Sequence, residues 1–208
     1  MRYSHIAFDL DGTLIDTNGP YLRAVQRRLR EELGLHKELW ELSFILGVPG
    51  RIALAELGFP DVESAHEAIG RYFYEYAGEI RAFEGIEEAL SDLQGKGVRL
   101  GLVTSKGRAR LEREFFPLPV SRYFPDIVCA EDTALHKPEP APMLCYLSRT
   151  GADPARTLYI GDSPNDLAMC RAAGVGCVLV TWGSFQRERD PSVRYLSHPR
   201  ELSKLLQL

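Results

Sequence analysis

No apolar run in this 208-residue chain approaches the ~20 residues that a membrane-crossing helix needs. The opening stretch MRYSHIAFDL meets Asp9 before a signal-like apolar segment can form, which reads as a cytoplasmic protein with no membrane partner. A basic excess is missing too. The net charge of -4 and pI near 5.8 give no footprint for nucleic acid. Arg27, Arg28 and Arg30 stand among glutamates and read as a solvated helix face. Cysteines number only four, Cys129, Cys145, Cys170 and Cys177, and none forms a C-x-x-C pair. Their apolar surroundings predict unpaired, buried thiols in a reducing compartment. Internal repeats and low-complexity tracts are lacking.

What is present is ordinary globular material, 45% hydrophobic and 26% charged. The length suits one α/β domain, or a domain carrying a sizeable insertion. From about residue 85 helical and strand patterns alternate. GIEEALSDLQGKG is an amphipathic helix closed by Gly95 and Gly97; VRLGLVT, DIVCA, TLYIGD and VGCVLVT are apolar runs; GRARLEREFF and the segments 138–149 and 164–173 are helical. HIAFDL is a further candidate strand near the start. Strands alternating with helices predict a Rossmann-like, mostly parallel sheet with helices on both faces. The stretch 17–82 breaks the rhythm. Leu22, Val25, Leu29 and Leu33 recur at helical spacing behind Pro20, and Gly34 is a stop. Shorter helices are expected around 37–46 and 50–57, and a longer one from Asp61, with no strand in the block. The expected organisation is an α/β core of residues 1–16 and 83–208, with 17–82 as a small all-helical lid or cap inserted after the first strand.

In an open parallel sheet, ligands bind beyond the carboxyl ends of the strands. The polar residues that follow each apolar run are Asp9 and Asp11, then Thr104 and Ser105, then Lys137 ahead of KPEPAP, then Asp162 with Asp166 in GDSPND. Taken singly each has an ordinary reading. Asp11-Gly12 is a turn signal, Thr104-Ser105 a helix cap, Lys137 a surface lysine and Asp162-Ser163-Pro164 the start of a helix. Parallel strands would bring them all to one edge. Several carboxylates crowded there would repel unless a cation sits among them, and a small hard divalent ion, Mg²⁺, fits oxygen ligands of this kind.

DLDGT with a following LIDT, a Thr/Ser after a strand, a Lys before Pro, and GDSPND together resemble, in order, the four motifs of the haloacid dehalogenase-like hydrolases. FEGIEEAL ahead of VTSK, and TWG after the last strand, resemble the phosphoglycolate phosphatase and β-phosphoglucomutase branch, which carries a helical cap where 17–82 lies. The resemblance implies that Asp9 is a nucleophile forming an aspartyl-phosphate, and that Asp9, Asp162 and the main-chain carbonyl of Asp11 hold Mg²⁺. It also implies that Lys137, Thr104 and Ser105 bind the phosphate. Asp11, two residues beyond Asp9, would project from the same side of an extended chain and could protonate the leaving group, then deprotonate the attacking water. Gly12 would permit a positive-φ turn that brings N–H groups to the phosphate. Asp166 either orients Lys137 and the metal's waters or caps its own helix. Keeping the second acid and an acidic GDSPND favours phosphorus over carbon–halogen chemistry.

In the insertion, Gly47-Val48-Pro49-Gly50-Arg51 resembles the cap loop this branch turns towards its ester. Arg51 either engages a second anionic group, such as the carboxylate of phosphoglycolate, or faces solvent. The aromatics Tyr72, Phe73, Tyr74 and Tyr76, like Trp182, read as core. Phe83-Glu84 stands where this branch often has an aromatic-Pro pair, and the tail after 184 is uninformative. The expected activity is a Mg²⁺-dependent phosphatase for a small phosphorylated metabolite, phosphoglycolate being the best single candidate, in a monomer or small homo-oligomer. Alternatives are a sugar phosphomutase, which in this branch often has Glu where this chain has Gly161, a pyrophosphatase, or, from another class, a phospho-accepting signalling receiver.

Overall fold

The computed structural model describes residues 3–46, 48, 50–183 and 190–207. Among them eight strands follow in order: β1 (His5–Phe8), β2 (Ile15–Asp16), β3 (Arg81–Ala82), β4 (Arg99–Val103), β5 (Asp126–Val128), β6 (Thr157–Gly161), β7 (Gly176–Val180) and β8 (Arg194–Leu196). Six form one sheet in the order β5–β4–β1–β6–β7–β8, with each neighbouring pair in it parallel, while β2 and β3 make a separate pair. The chain runs outward from β1 through β4 to β5, then returns to β6 on β1's other side. That reversal makes the ends of β4, β1 and β6 a switch point, where such sheets open a crevice.

Ile6, Ala7 and Phe8 are wholly buried, as a central strand covered on both faces demands. Their side chains alternate between the faces. Ala7 joins Val103, Met143, Tyr146, Tyr159 and Met169 in one core cluster. Phe8 meets Phe124 edge-on at 5.9 Å, and Phe124 in turn packs on Phe115. Burying a side chain such as Phe8 contributes about 1.5–3 kcal/mol. The covering helices are α4 (Ile86–Gly95), α5 (Arg108–Glu114), α6 (Ala141–Thr150) and α7 (Pro164–Ala173), numbered after three that belong to the insertion.

By compactness the chain divides into two units, one running up to Ile15 and resuming at Ala82, the other being Asp16–Arg81. The second unit holds α1 (Asn18–Leu33), α2 (Gly50–Glu56) and α3 (Val62–Glu75). Gly34 ends α1 in the left-handed conformation, φ 65°, which costs a glycine little. Asp61 caps α3 by accepting from the Ser64 N–H at 3.0 Å.

Some expectations need correction. The short helix expected around 37–46 is a 3-10 helix over Leu39–Ile45, and Arg81–Ala82 is a strand inside the block expected to have none. The tail is not featureless: β8 pairs with β7, and the 3-10 segment Pro199–Gln207 buries Leu202 and Leu205. Of the four clustered aromatics only Phe73 is buried; Tyr74 is exposed, and Tyr72 lies under the Arg27 guanidinium with its hydroxyl donating to Glu31. No helix among the described residues is long and apolar enough to cross a membrane.

Candidate active site

The chain leaves β1 at Phe8, and the next amide, that of Asp9, donates to the Ile160 carbonyl of β6 at 2.8 Å. Asp9 is thereby fixed at the sheet's centre. Asp11 does not continue the strand. Residues 11–15 fold back in a turn, with Asp11 bridging to Ile15, so Asp11 stands at the start of a reversal and not on an extended strand. Gly12 has φ 76°, the left-handed region that glycine enters without a Cβ penalty. Its N–H, expected to face phosphate, donates instead to the Ile15 carbonyl at 3.0 Å. A Cβ at Gly12 would stand 2.4 Å from Asp162 Oδ2, so the absence of a side chain makes room for that carboxylate.

A cavity of about 270 Å³ opens here, walled by Asp9, Asp11, Thr104, Ser105, Lys106 and Lys137, with Arg110, Ser163, Asn165 and Asp166 beside them. Lys137 is buried rather than solvated. Its ammonium donates to Asp9 Oδ1 at 2.6 Å, to Asp166 Oδ1 at 2.7 Å and to the Tyr159 hydroxyl at 2.6 Å. Burial works against its charge, yet Asp166 and Asp9 together hold its pKa above the ordinary lysine value. Thr104 follows β4 and accepts the Lys106 N–H on its hydroxyl at 3.1 Å, while Ser105 lies exposed on the cavity wall.

Asp9, Asp162 and Asp166 each offer a carboxylate oxygen within 4.8 Å of the others. Burial, with Asp166 and Asp11 adding repulsion against the pull of Lys137, pushes Asp9 up to about 7. Burial and then the neighbouring Asp9 and Asp166 charges raise Asp162 well above the usual carboxylate range. Asp166 goes the other way, because Lys137 and Ser163 outweigh its burial. Its oxygens are fully engaged: Oδ1 takes Lys137, and Oδ2 takes the Ser163 hydroxyl at 2.7 Å and the N–H groups of Ser163 and Asp162 at 3.1 and 3.2 Å. Asp166 therefore both orients Lys137 and closes the capping box of α7, the two alternatives left open by the sequence. The Asp162 carboxylate, by contrast, draws no hydrogen-bond donor from the described residues. A partly buried carboxylate left so, beside a buried one, is the environment a hard cation fits.

Sequence reasoning passed over Lys106, Arg110, Glu114 and Tyr159. Lys106 has a 1% exposed side chain that donates to Asp11 Oδ1 at 2.8 Å and also contacts the wholly buried Glu114. Arg110 forks onto the same Glu114 at 2.7 and 3.0 Å. Lys106 closes the VTSK stretch that carries part of the resemblance, a signal given no role of its own, and a tyrosine inside TLYIG reads as core. Arg51 lies in the other unit and pairs with Glu63, at 2.6 and 3.0 Å, both side chains exposed. Gly47 and Pro49 of the expected cap loop lie outside the described residues. His136 enters no side-chain contact that bears on the site.

A family model described as haloacid dehalogenase-like hydrolase matches residues 6–180. An N-acetylmuramic acid 6-phosphate phosphatase of Pseudomonas aeruginosa is 31% identical over 99% of this chain and 96% of its own. A phosphoglycolate phosphatase of Agrobacterium fabrum is 32% identical over 85% of this chain and 79% of its own. The crystal structure of a hydrolase of the same superfamily, subfamily IA, variant 1, from Geobacter sulfurreducens superposes with a TM-score of 0.77 at 28% identity, covering 99% of this chain and 97% of that one.

Proposed function

Since the chain belongs to the haloacid dehalogenase-like hydrolases, we propose that it is a phosphatase acting on a small phosphorylated metabolite through a covalent aspartyl-phosphate. The carrying observation is the Lys137 ammonium shared by Asp9 and Asp166 beside an Asp162 carboxylate that lacks a donor. A dianionic ester repels an anionic nucleophile, so positive charge must already be in place before attack. Lys137 supplies one such charge. Asp9, Asp162 and the main-chain carbonyl of Asp11 would hold Mg²⁺, which when bound adds positive charge beside the phosphate.

Lys137 occupies Asp9 Oδ1, which leaves Oδ2 to attack phosphorus. The Asp9–phosphorus bond forms as the ester P–O bond breaks, and the departing oxygen takes a proton from Asp11. In the second half Asp11 removes a proton from water, whose oxygen attacks the phosphorus. The Asp9–phosphorus bond then breaks and inorganic phosphate leaves. Thr104, Ser105 and Lys137 steady the phosphoryl oxygens.

The unit Asp16–Arg81 acts in this reading as a cap that selects the substrate. Arg51 on it recognises a second anionic group, and phosphoglycolate is the first substrate to try. The two relatives are named for esters as different as a two-carbon acid and an amino sugar, which supports the class of substrate more firmly than its identity. Four free cysteines suit the cytoplasm.

The test is release of phosphate from 4-nitrophenyl phosphate and a panel of phosphorylated metabolites, with EDTA and Mg²⁺ arms, in the parent and Asp9→Asn. Release that needs Mg²⁺ and disappears in Asp9→Asn supports the reading. Undiminished turnover by Asp9→Asn overturns it.

A further inference from the structure

Glu114 has no solvent exposure, and the chemistry above gives it no task. An isolated carboxylate so placed is costly; this one is matched by the Lys106 ammonium on one side and the Arg110 fork on the other. Stability does not account for the arrangement, since apolar residues packed in place of a buried ion pair are often as good or better. What the pair does accomplish is to fix a cation in space. The Lys106 backbone is pinned as well: its N–H donates to Thr104 Oγ1 at 3.1 Å and its carbonyl accepts from the Ala130 N–H at 3.1 Å. With the main chain and the ammonium both held, Lys106 has little freedom left, and its Nζ is 2.8 Å from Asp11 Oδ1.

Asp11 gains an anchor in this way. Its side chain is 37% exposed and rides on a turn, and the Lys106 ammonium, itself held from behind, fixes the place of its Oδ1. Proton transfer tolerates little displacement, because donor and acceptor must stand within hydrogen-bond reach along the right line.

We infer that Lys106, held by Glu114, is a positioning residue for Asp11, gripping Oδ1 so that Oδ2 is the oxygen presented to the leaving group and to water. Arg110 braces Glu114 from the turn above. The inference rests on the reading of Asp11 as the acid–base group, and it assigns Lys106 no contact with the ester.

Phenyl phosphate and 4-nitrophenyl phosphate separate these ideas, because they share a shape and only the poorer leaving group, phenol, depends strongly on an acid. Lys106→Met keeps Glu114 paired with Arg110 and so retains a folded core; Glu114→Gln loosens Lys106 from behind. In both, kcat/KM for phenyl phosphate falls roughly 30-fold or more, while that for 4-nitrophenyl phosphate falls about 3-fold. The inhibition constant of inorganic phosphate stays within about 3-fold of the parent. Asp11→Asn, run in parallel, shows the same selective loss.

Equal losses for both esters in Lys106→Met, against a selective loss in Asp11→Asn, overturn this inference and leave the reading of Asp11 intact. So does a weakened phosphate inhibition constant with equal losses, which would make Lys106 a phosphate ligand. Equal losses in Asp11→Asn itself overturn both. Should Glu114→Gln not fold, Lys106→Met decides the matter alone.

Discussion

Asp166 Oδ1 accepts from the Lys137 ammonium at 2.7 Å, although the two residues are 29 apart in the chain and both are buried. One comes from a loop beyond β5, the other from the first turn of α7. Removing one partner of such a pair leaves the other charge exposed to a poor environment. Asp166→Ala is expected to lower the unfolding free energy by about 3 kcal/mol or more, measured by urea titration. Asp166→Asn keeps the capping geometry and should cost less, yet it too should slow phosphate release by loosening Lys137.

Metal affinity should depend on pH with a definite sign. Asp9 carries a proton below about 7 in the metal-free protein, and that proton must leave before the carboxylate can ligate. Mg²⁺ therefore binds more tightly as pH rises through 7, and the raised Asp162, a second ligand of the proposed ion, works in the same direction. Between pH 6 and 8 the dissociation constant should fall roughly 10-fold or more, since one ionisation near 7 alone gives about that much. The same raised value means that Asp9's contribution to metal-free stability is complete below the ordinary carboxylate pKa and is lost as pH rises through 7. Calorimetric titration at three pH values checks the first trend, and thermal melts in EDTA check the second.

Gly12→Ala should fail for two separable reasons. A left-handed φ costs a residue with a Cβ about 1–2 kcal/mol, and the new methyl would crowd Asp162 Oδ2. Stability should drop modestly, while the Mg²⁺ concentration needed for half-maximal activity rises. A variant that loses stability but keeps its metal requirement unchanged would show that Asp162 can step aside.

Tyr159→Phe removes a hydroxyl that accepts from Lys137 at 2.6 Å and donates to the Val103 carbonyl at 2.8 Å. Leaving that carbonyl unsatisfied should cost about 1–3 kcal/mol, read from thermal or urea unfolding. Lys137 retains both aspartates, so turnover should fall far less than in Asp9→Asn.

Arg51→Ala probes the proposed cap. The Arg51–Glu63 pair is fully exposed, so its loss should leave the melting temperature unchanged. A drop in kcat/KM confined to esters with a second anionic group is the expected result, read across the metabolite panel. An unchanged preference would remove Arg51 from substrate recognition.

The sequence made some of this plain because the signals were local. Gly34 and Asp61 announce helix ends by their own backbone preferences, and Ile6-Ala7-Phe8 announces a strand buried on both faces. The placement of Asp9, Thr104, Lys137 and Asp162 beyond strand ends follows from topology once parallel strands are assumed. Lys106 and Glu114 gave no such signal, because a lysine's burial depends on partners brought in by the fold, Asp11 being 95 residues away. β8 was hidden for a related reason. Three residues, with Arg194 exposed and only Leu196 buried, carry no period, and the strand exists through its register with β7. The turn at 11–15 was legible in part: Asp11-Gly12 is a turn signal, but nothing local says that the Gly12 N–H returns to the Ile15 carbonyl.

The place of β1 between two parallel neighbours has a consequence for how the molecule breathes. Amides at the middle of such a sheet exchange with deuterium only when the whole sheet opens, whereas edges and termini fray at little cost. Asp9 hangs from that innermost ladder by its own N–H. The carboxylate proposed to become phosphorylated thus sits on the last part of the chain to come apart, and partial unfolding elsewhere would cost the protein its trimmings before its nucleophile.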